Sequence, residues 1–284
     1  MGPHGHPERR PLTTGSQDFE ELVALLRDRH GPALRSLILF GSCLSPAMQK
    51  PGSIPDLFAF VEDVPAALRR EGVGGLARRV ARALPPTTIA LHAPWRREAV
   101  AKLNLIEPST VRAELQAPRD LYLAGRLGKH TRTLWSRDDA CAREIGELLD
   151  QAAARIVEIV LGGLPAQCPL ELAVQRCVAI SYEAEIRPES DLRVQATYRA
   201  FAAEYQARYR PLLVSRAGAR GFEVRGDTLV DARGAESARR DQRGFRALLL
   251  RSRVRSVARW PKQALVYRGW YSYVLGKIRR ARVR

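Results

Sequence analysis

The segment from Leu37 to Asp63, LILFGSCLSPAMQKPGSIPDLFAFVED, constrains the fold more than any other stretch of the chain. A short apolar run, Leu37 to Phe40, breaks at Gly41-Ser42, and a second apolar run opens on an acid, Asp56-Leu57-Phe58-Ala59-Phe60-Val61. Short apolar runs bounded by turn residues predict two buried strands. Glycine lets the backbone turn tightly and approach a ligand closely. The N–H groups of such a turn, with the Ser42 hydroxyl, can hold phosphate oxygens, above all where a helix starts just beyond. An aspartate heading the neighbouring strand supplies the hard oxygen that Mg²⁺ takes beside those phosphates. Most Gly-Ser pairs are plain turns. The signal lies in the order: strand, Gly-Ser, spacer, acid-headed strand.

That order resembles polymerase-β-type nucleotidyltransferases, in which Gly-Ser holds a triphosphate and strand-borne acids hold metal. Most of that superfamily carries two aspartates at alternate positions, so that both fall on one face of the strand. Here the first of the two positions is Ile54, and only Asp56 remains.

The chain has 284 residues, 45% of them hydrophobic, enough to bury a sizeable core in one large domain or two modest ones. No uncharged run approaches the roughly 18 apolar residues that a spanning helix needs. The N-terminus, MGPHGHPERRPLTTGSQDFEELV, lacks the apolar core of a secretion signal and contains prolines and acids that a presequence avoids. Residues 1–17 are expected to form a loose tail. Cys43, Cys141, Cys168 and Cys177 fall in no C-x-x-C pair, so neither a zinc site nor a disulfide framework is indicated, and a reduced cytosolic setting fits.

Charge narrows the partners. Lys plus Arg number 47 against 30 acids, a formal net charge of +17, and the isoelectric point is about 10.6. Such an excess attracts polyanions: nucleic acid, an anionic membrane and a nucleoside triphosphate all qualify. The stretch from Arg239 to Arg284 is dense in Arg and Lys, nearly free of acids after Asp241, and carries Trp260, Tyr267, Trp270, Tyr271 and Tyr273. Aromatics among cations suit a membrane interface. They also suit stacking on bases. Sequence alone does not separate the two.

Breakers and periodicity give the organisation. Asp18 to Asp28 reads as a helix with Phe19, Leu22, Val23, Leu25 and Leu26 as its apolar stripe. After the two strands, Pro65 to Leu84 reads as helical with an interruption at Gly72 to Gly75, and Thr87 to Leu91 and Val100 to Ile106 read as further strands. Strands and helices in this order indicate an α/β arrangement. From Asp138 to Tyr209 the pattern turns helical, with a stop at Gly162-Gly163 and Pro165, and Gly218 to Gly234 reads as a polar loop or small hairpin.

A second resemblance covers more of the chain. Asp120-Leu121-Tyr122-Leu123-Ala124-Gly125-Arg126-Leu127-Gly128-Lys129 closely resembles D-L-Y-I-A-G-R-L-x-K, a signature of the mitochondrial phosphatidate cytidylyltransferases, also called translocator assembly and maintenance proteins. That family's strand after Gly-Ser likewise opens on a single acid and closes on acids, as Asp56 to Glu62-Asp63 does here. Lys102 with Leu105-Ile106 is similar to its K-x-G-V-I, and Ile180 to Arg187 to its L-S-Y-x-G-D-x-R. Tyr205 to Leu213 is similar to x-F-R-x-L-Y-x-x-x-L, and Ser252 to Arg259 more faintly to S-S-I-R-Q-S-x-K. These matches run co-linearly from about residue 35 to the end. Departures are Cys43 for a glycine after Gly-Ser, His130 for a proline, Glu183-Ala184-Glu185 for x-Gly-Asp, and Arg259-Trp260 for Lys-Gly.

The resemblance implies an α+β fold: a nucleotidyltransferase domain of mixed sheet and flanking helices over 18–136, a mainly helical second domain over 137–250, and a basic segment over 251–284. It implies Mg²⁺-dependent transfer of CMP from CTP to phosphatidate, giving CDP-diacylglycerol and pyrophosphate in phospholipid biosynthesis. By the same resemblance Gly41, Ser42, Lys129 and Arg187 would bind nucleotide, and Asp56, Lys102 and Arg126 would carry the chemistry. Asp56 would hold metal, with Glu62 and Glu185 as further ligands. A basic amphipathic C-terminal helix with Trp270, Tyr273, Lys277, Arg279 and Arg280 would meet an anionic membrane surface, making the protein peripheral on an inner membrane face. Two other classes stay open: a nucleotidyltransferase acting on a small molecule or nucleic acid, and a non-catalytic basic module that binds nucleic acid.

Overall fold

Leu37 to Phe40 and Leu57 to Val61 are buried at every position, and strands buried on both faces need a layer over each. The computed structural model describes residues 17–45, 48–49, 53–81, 83–94, 96–185 and 191–266, and supplies both layers. The strands are β1 (Leu34–Phe40), β2 (Asp56–Val61), β3 (Thr87–Ala93), β4 (Arg96–Ile106) and β5 (Thr131–Ser136), in the order β3-β4-β2-β1-β5. β2 and β4 run parallel; the other pairs are antiparallel. The fold is α+β with a mixed five-stranded sheet.

Side chains alternate between the faces with the two-residue strand period. Leu37, Leu39, Leu57, Ala59, Val61, Leu103 and Leu105 turn to one side, where they pack with Phe19, Leu22 and Leu26 of α1 (Gln17–His30) and Ala67 and Leu68 of α2 (Val64–Arg70). Asp63 caps α2, its carboxylate accepting from Ala66 N at 2.6 Å, and Pro65 sits in the first turn, where its missing donor costs nothing. The short helix α3 (Gly75–Ala81) follows the interruption expected at Gly72 to Gly75.

Ile38, Phe40, Phe58, Phe60 and Ile106 turn to the other side and share a core with α4 (Pro108–Gln116), α5 (Tyr122–Leu127), α6 (Asp139–Gly163), α7 (Leu170–Glu183) and α9 (Ala202–Ala217). That core runs from Ile38 to Leu229, so sheet and helices bury one another across residue 136. The helical pattern expected from Asp138 to Tyr209 is divided by β6 (Gln167–Pro169), and α8 (Asp191–Ala200) precedes α9. β6 joins a hairpin, β7 (Phe222–Arg225) and β8 (Thr228–Asp231), in a second sheet of order β6-β8-β7. Finally α10 (Ala235–Val266) runs unbroken through residue 250 and packs on α3, β3 and α6.

Gln17, the last residue of the expected tail, opens α1; residues 1–16 lie outside the described residues. So do residues 267–284, and with them Trp270, Tyr273, Lys277, Arg279 and Arg280. Among the described residues no helix is long and apolar enough to cross a membrane.

Candidate functional site

β1 ends at Phe40, and the chain turns at once through a single 3-10 turn, Gly41–Leu44. Gly41 has φ +83°, a region that L side chains avoid, and a Cβ there would lie 3.3 Å from Asp56 Oδ2. Strand register explains that closeness, because Phe40 pairs with Asp56, the first residue of β2. On the other side Asp56 pairs with Lys102 of β4, and Lys102 Nζ donates to Asp56 Oδ1 at 3.0 Å. Both side chains remain partly open, 26% for Asp56 and 21% for Lys102, so a ligand can reach them. Cys43 is buried beneath the turn; burial pushes its thiol up, and the nearby Asp56 carboxylate adds to that. It packs as an inert hydrophobe.

Above this turn lies α5. Arg126 stands over the Phe40 ring at 5.6 Å and over the Tyr122 ring, one helical turn earlier, at 4.6 Å. Its guanidinium donates to Glu185 Oε1 at 2.8 Å. Burial would push Arg126 down, but Tyr122, Glu185, Asp56 and Tyr182 outweigh it, and the net shift is upward. Arg126 is therefore a fixed positive charge within electrostatic reach of Asp56. Lys129 Nζ sits 3.4 Å from the centre of the Tyr182 ring, a close cation–π contact.

Two glycines explain why α5 can sit so deep. A Cβ at Gly125 would lie 2.6 Å from Ser181 Cβ of α7, and one at Gly128 would lie 2.3 Å from Ile156 Cδ1 of α6. Both read as packing glycines that let backbones approach. Asp120, just before α5, is buried and accepts from Tyr122 N at 2.9 Å, Arg255 Nε at 2.6 Å and Arg259 Nη2 at 2.7 Å. Ser252 Oγ accepts from Leu121 N at 3.0 Å and donates to Leu248 O at 2.8 Å. The helix carrying Arg126 is thus tied at its start to α10.

Most of the expected site residues meet here. Gly41, Ser42, Asp56 and Lys102 gather at one end of the sheet, and Arg126 and Glu185 form a pair over it. Lys129 follows α5 and reaches α7. Glu62, expected as a metal ligand, does not join them. It follows the last residue of β2, roughly 20 Å from Asp56 at strand rise. There it accepts from Arg35 at 2.8 Å and Arg137 at 2.9 Å, and those contacts outweigh its burial and hold its carboxyl below the usual range. Glu185 is close but engaged by Arg126. Arg187 lies outside the described residues.

Among the described residues no three His, Cys, Asp or Glu side chains cluster as a metal site. Asp56 alone suits a hard cation whose remaining ligands are phosphate oxygens and water, the usual arrangement for Mg²⁺ on a nucleotide. Asp120 and Tyr122 are not among the site residues that the sequence leads one to expect. Nothing local in the sequence pairs Asp120 with Arg255 and Arg259; only the packing of α10 beside the start of α5 brings them together. An open groove of about 1210 Å³ between α7, α8 and α9, lined among others by Leu172, Arg176, Tyr198 and Arg199, includes none of the residues around Asp56. No protein-family model and no curated protein matches this chain.

Proposed function

We propose that this protein is a nucleotidyltransferase of the polymerase-β type and that it transfers CMP from CTP to phosphatidate, releasing pyrophosphate. The carrying observation is the juxtaposition of the Gly41 turn, Asp56 and Lys102 at one sheet end beneath Arg126. A positive-φ glycine turn offering backbone N–H groups, with an accessible carboxylate and three cationic or hydroxyl-bearing neighbours, suits a triphosphate and its counter-ion. Further support comes from the convergence of the motifs behind the resemblance. Gly125 packs on Ser181, and Asp120 pairs with Arg255 and Arg259, so segments far apart in sequence support one helix.

In this reading the backbone at Gly41 and the Ser42 hydroxyl bind the triphosphate. Asp56 would hold Mg²⁺ through the carboxylate that Lys102 otherwise engages; when bound, the ion would supply a Lewis acid to phosphate oxygens. Lys102 and Arg126 neutralise charge as the phosphate monoester oxygen of the lipid bonds to the α-phosphorus of CTP and the bond to the pyrophosphate oxygen breaks. Lys129 lines the approach for the triphosphate, and Arg187 is carried over from the resemblance as a further nucleotide-binding residue. Little covalent chemistry falls to the protein, and rate comes from alignment and preorganised charge.

Phosphatidate resides in membranes, so the reading needs a lipid-facing surface. α10 offers one. Leu250, Val254, Val257 and Trp260 are 63, 60, 48 and 41% exposed along one helical stripe, and Arg246, Arg251 and Arg253 lie exposed beside them. Cations beside an apolar stripe fit an anionic bilayer interface.

The test is transfer of label from α-phosphate-labelled CTP into organic-extractable lipid, with phosphatidate in mixed micelles and Mg²⁺. Wild-type protein produces labelled CDP-diacylglycerol and Asp56→Ala does not; equal label with both proteins refutes the reading.

A further inference from the structure

We propose that Arg259 is a positioning residue for Arg126, acting through the Tyr122 ring they share. Resting on the reading that Arg126 meets phosphate, the proposal adds a route by which α10 sets the geometry of the site. The Arg259 guanidinium carbon lies 4.5 Å from the Tyr122 ring centre, and that of Arg126 lies 4.6 Å from the same centre.

Arg259 is an expensive residue to bury. It is 4% exposed, and its Nε and Nη1 have no hydrogen-bond partner among the described residues. Its ion pair with Asp120 does not explain the cost, because Arg255 serves the same carboxylate oxygen at 2.6 Å. Arg259 also donates to Pro85 O at 3.3 Å, and its guanidinium lies against the Tyr122 ring, a contact that Arg255 does not make among the described residues. Asp120 Oδ2 holds the far end of Arg259 at 2.7 Å, and Asp120 Oδ1 accepts from Tyr122 N at 2.9 Å. One carboxylate therefore fixes the Arg259 guanidinium and the backbone of the residue that carries the ring. Tyr122 and Arg126 are four residues apart on one helix, a spacing at which side chains meet. A ring held by Arg259 leaves Arg126 fewer rotamers, and it also directs the Arg126 fork toward Glu185 and the Asp56 end of the sheet.

The experiment uses the full-length protein with arginine side chains labelled for Nε–H spectra, alongside CTP binding by calorimetry and thermal unfolding. Tyr122→Phe keeps the ring and should keep both the ring-shifted Arg126 signal and the affinity. Tyr122→Leu removes the ring, and Arg259→Lys keeps a cation on Asp120 but loses the planar fork. Both should move the Arg126 signal and weaken CTP binding about tenfold, the scale of one lost cation–π contact. Arg255→Lys, at the same carboxylate but off the ring, should leave signal and affinity unchanged. An unmoved Arg126 signal in folded Tyr122→Leu and Arg259→Lys overturns the proposal. Absence of CTP binding in the wild type instead counts against the nucleotidyltransferase reading, and the spectra still decide whether the stack holds Arg126.

Discussion

Lys102 Nζ and Asp56 Oδ1 lie 3.0 Å apart across the parallel pair β2–β4. Parallel register sets that distance, and it leaves the other carboxylate oxygen facing the Gly41 turn. The pair is a quarter open to solvent, so its contribution to stability is small, on the order of 1 kcal/mol or less. Its value is in charge. Asp56→Ala should therefore abolish nucleotidyl transfer, by at least about 10²-fold, while leaving the unfolding midpoint almost unchanged. Ser42→Ala should be milder, because backbone N–H groups remain. Steady-state rates paired with urea titrations check both.

Gly41→Ala combines two costs at one position. The φ of +83° is strained for alanine, and the new methyl carbon would stand 3.3 Å from Asp56 Oδ2. Strain of this kind costs about 1–3 kcal/mol. Relief by moving the turn would displace the phosphate-facing N–H groups. The expected result is weaker CTP binding together with a lowered unfolding midpoint, read by calorimetry and by thermal melts.

Gly125→Ala tests whether α5 needs its close approach to α7. The added carbon would sit 2.6 Å from Ser181 Cβ, and overpacking of this sort costs about 1–3 kcal/mol. Ser181→Gly in the same chain removes the opposing carbon. A double-mutant cycle should show recovery in the pair relative to Gly125→Ala alone, in both stability and rate.

Asp120 gives a pH signature. Burial would raise its carboxyl, but Arg259, Arg255 and the Tyr122 N–H outweigh this and hold it below the usual 3.8. A folded-state value under the unfolded one means the stabilisation is present above 3.8 and is lost as pH falls below it. Asp120→Asn should remove that part of the acid dependence. It should also cost about 3–5 kcal/mol at neutral pH, because Arg259 would stay buried without its counter-charge. Urea midpoints across an acid series for the two proteins measure both effects.

Legibility in the sequence followed burial and periodicity. β1, β2 and α1 could be read because continuous or regularly spaced apolar residues mark them, and the Gly-Ser turn with Asp56 could be read because glycine and an acid interrupt apolar runs. β5 could not. Its sequence, TRTLWS, has no fully buried position, and it forms by pairing with the edge of β1. β6 is three residues long and exists only because β8 lies beside it. At the site, the meeting of Asp56 with Lys102 depends on strand register, which no local pattern states. Glu62 misled for the opposite reason: an acid closing the strand looks like a ligand in one dimension, but it lies at the far end of the sheet. The tie from Asp120 to α10 joins residues 135 and 139 positions apart and had no local signal.

The most direct test of the central claim offers each of the four nucleoside triphosphates in turn, with phosphatidate vesicles and Mg²⁺, and follows pyrophosphate and nucleotidyl lipid together. A site that hydrogen-bonds the cytosine edge should leave buried groups unpaired with any other base and favour CTP by up to about 10⁴-fold. The predicted result is CDP-diacylglycerol and an equal amount of pyrophosphate from CTP, with little from ATP, GTP or UTP. Release of neither product from any triphosphate, or equal use of all four, would contradict the assignment.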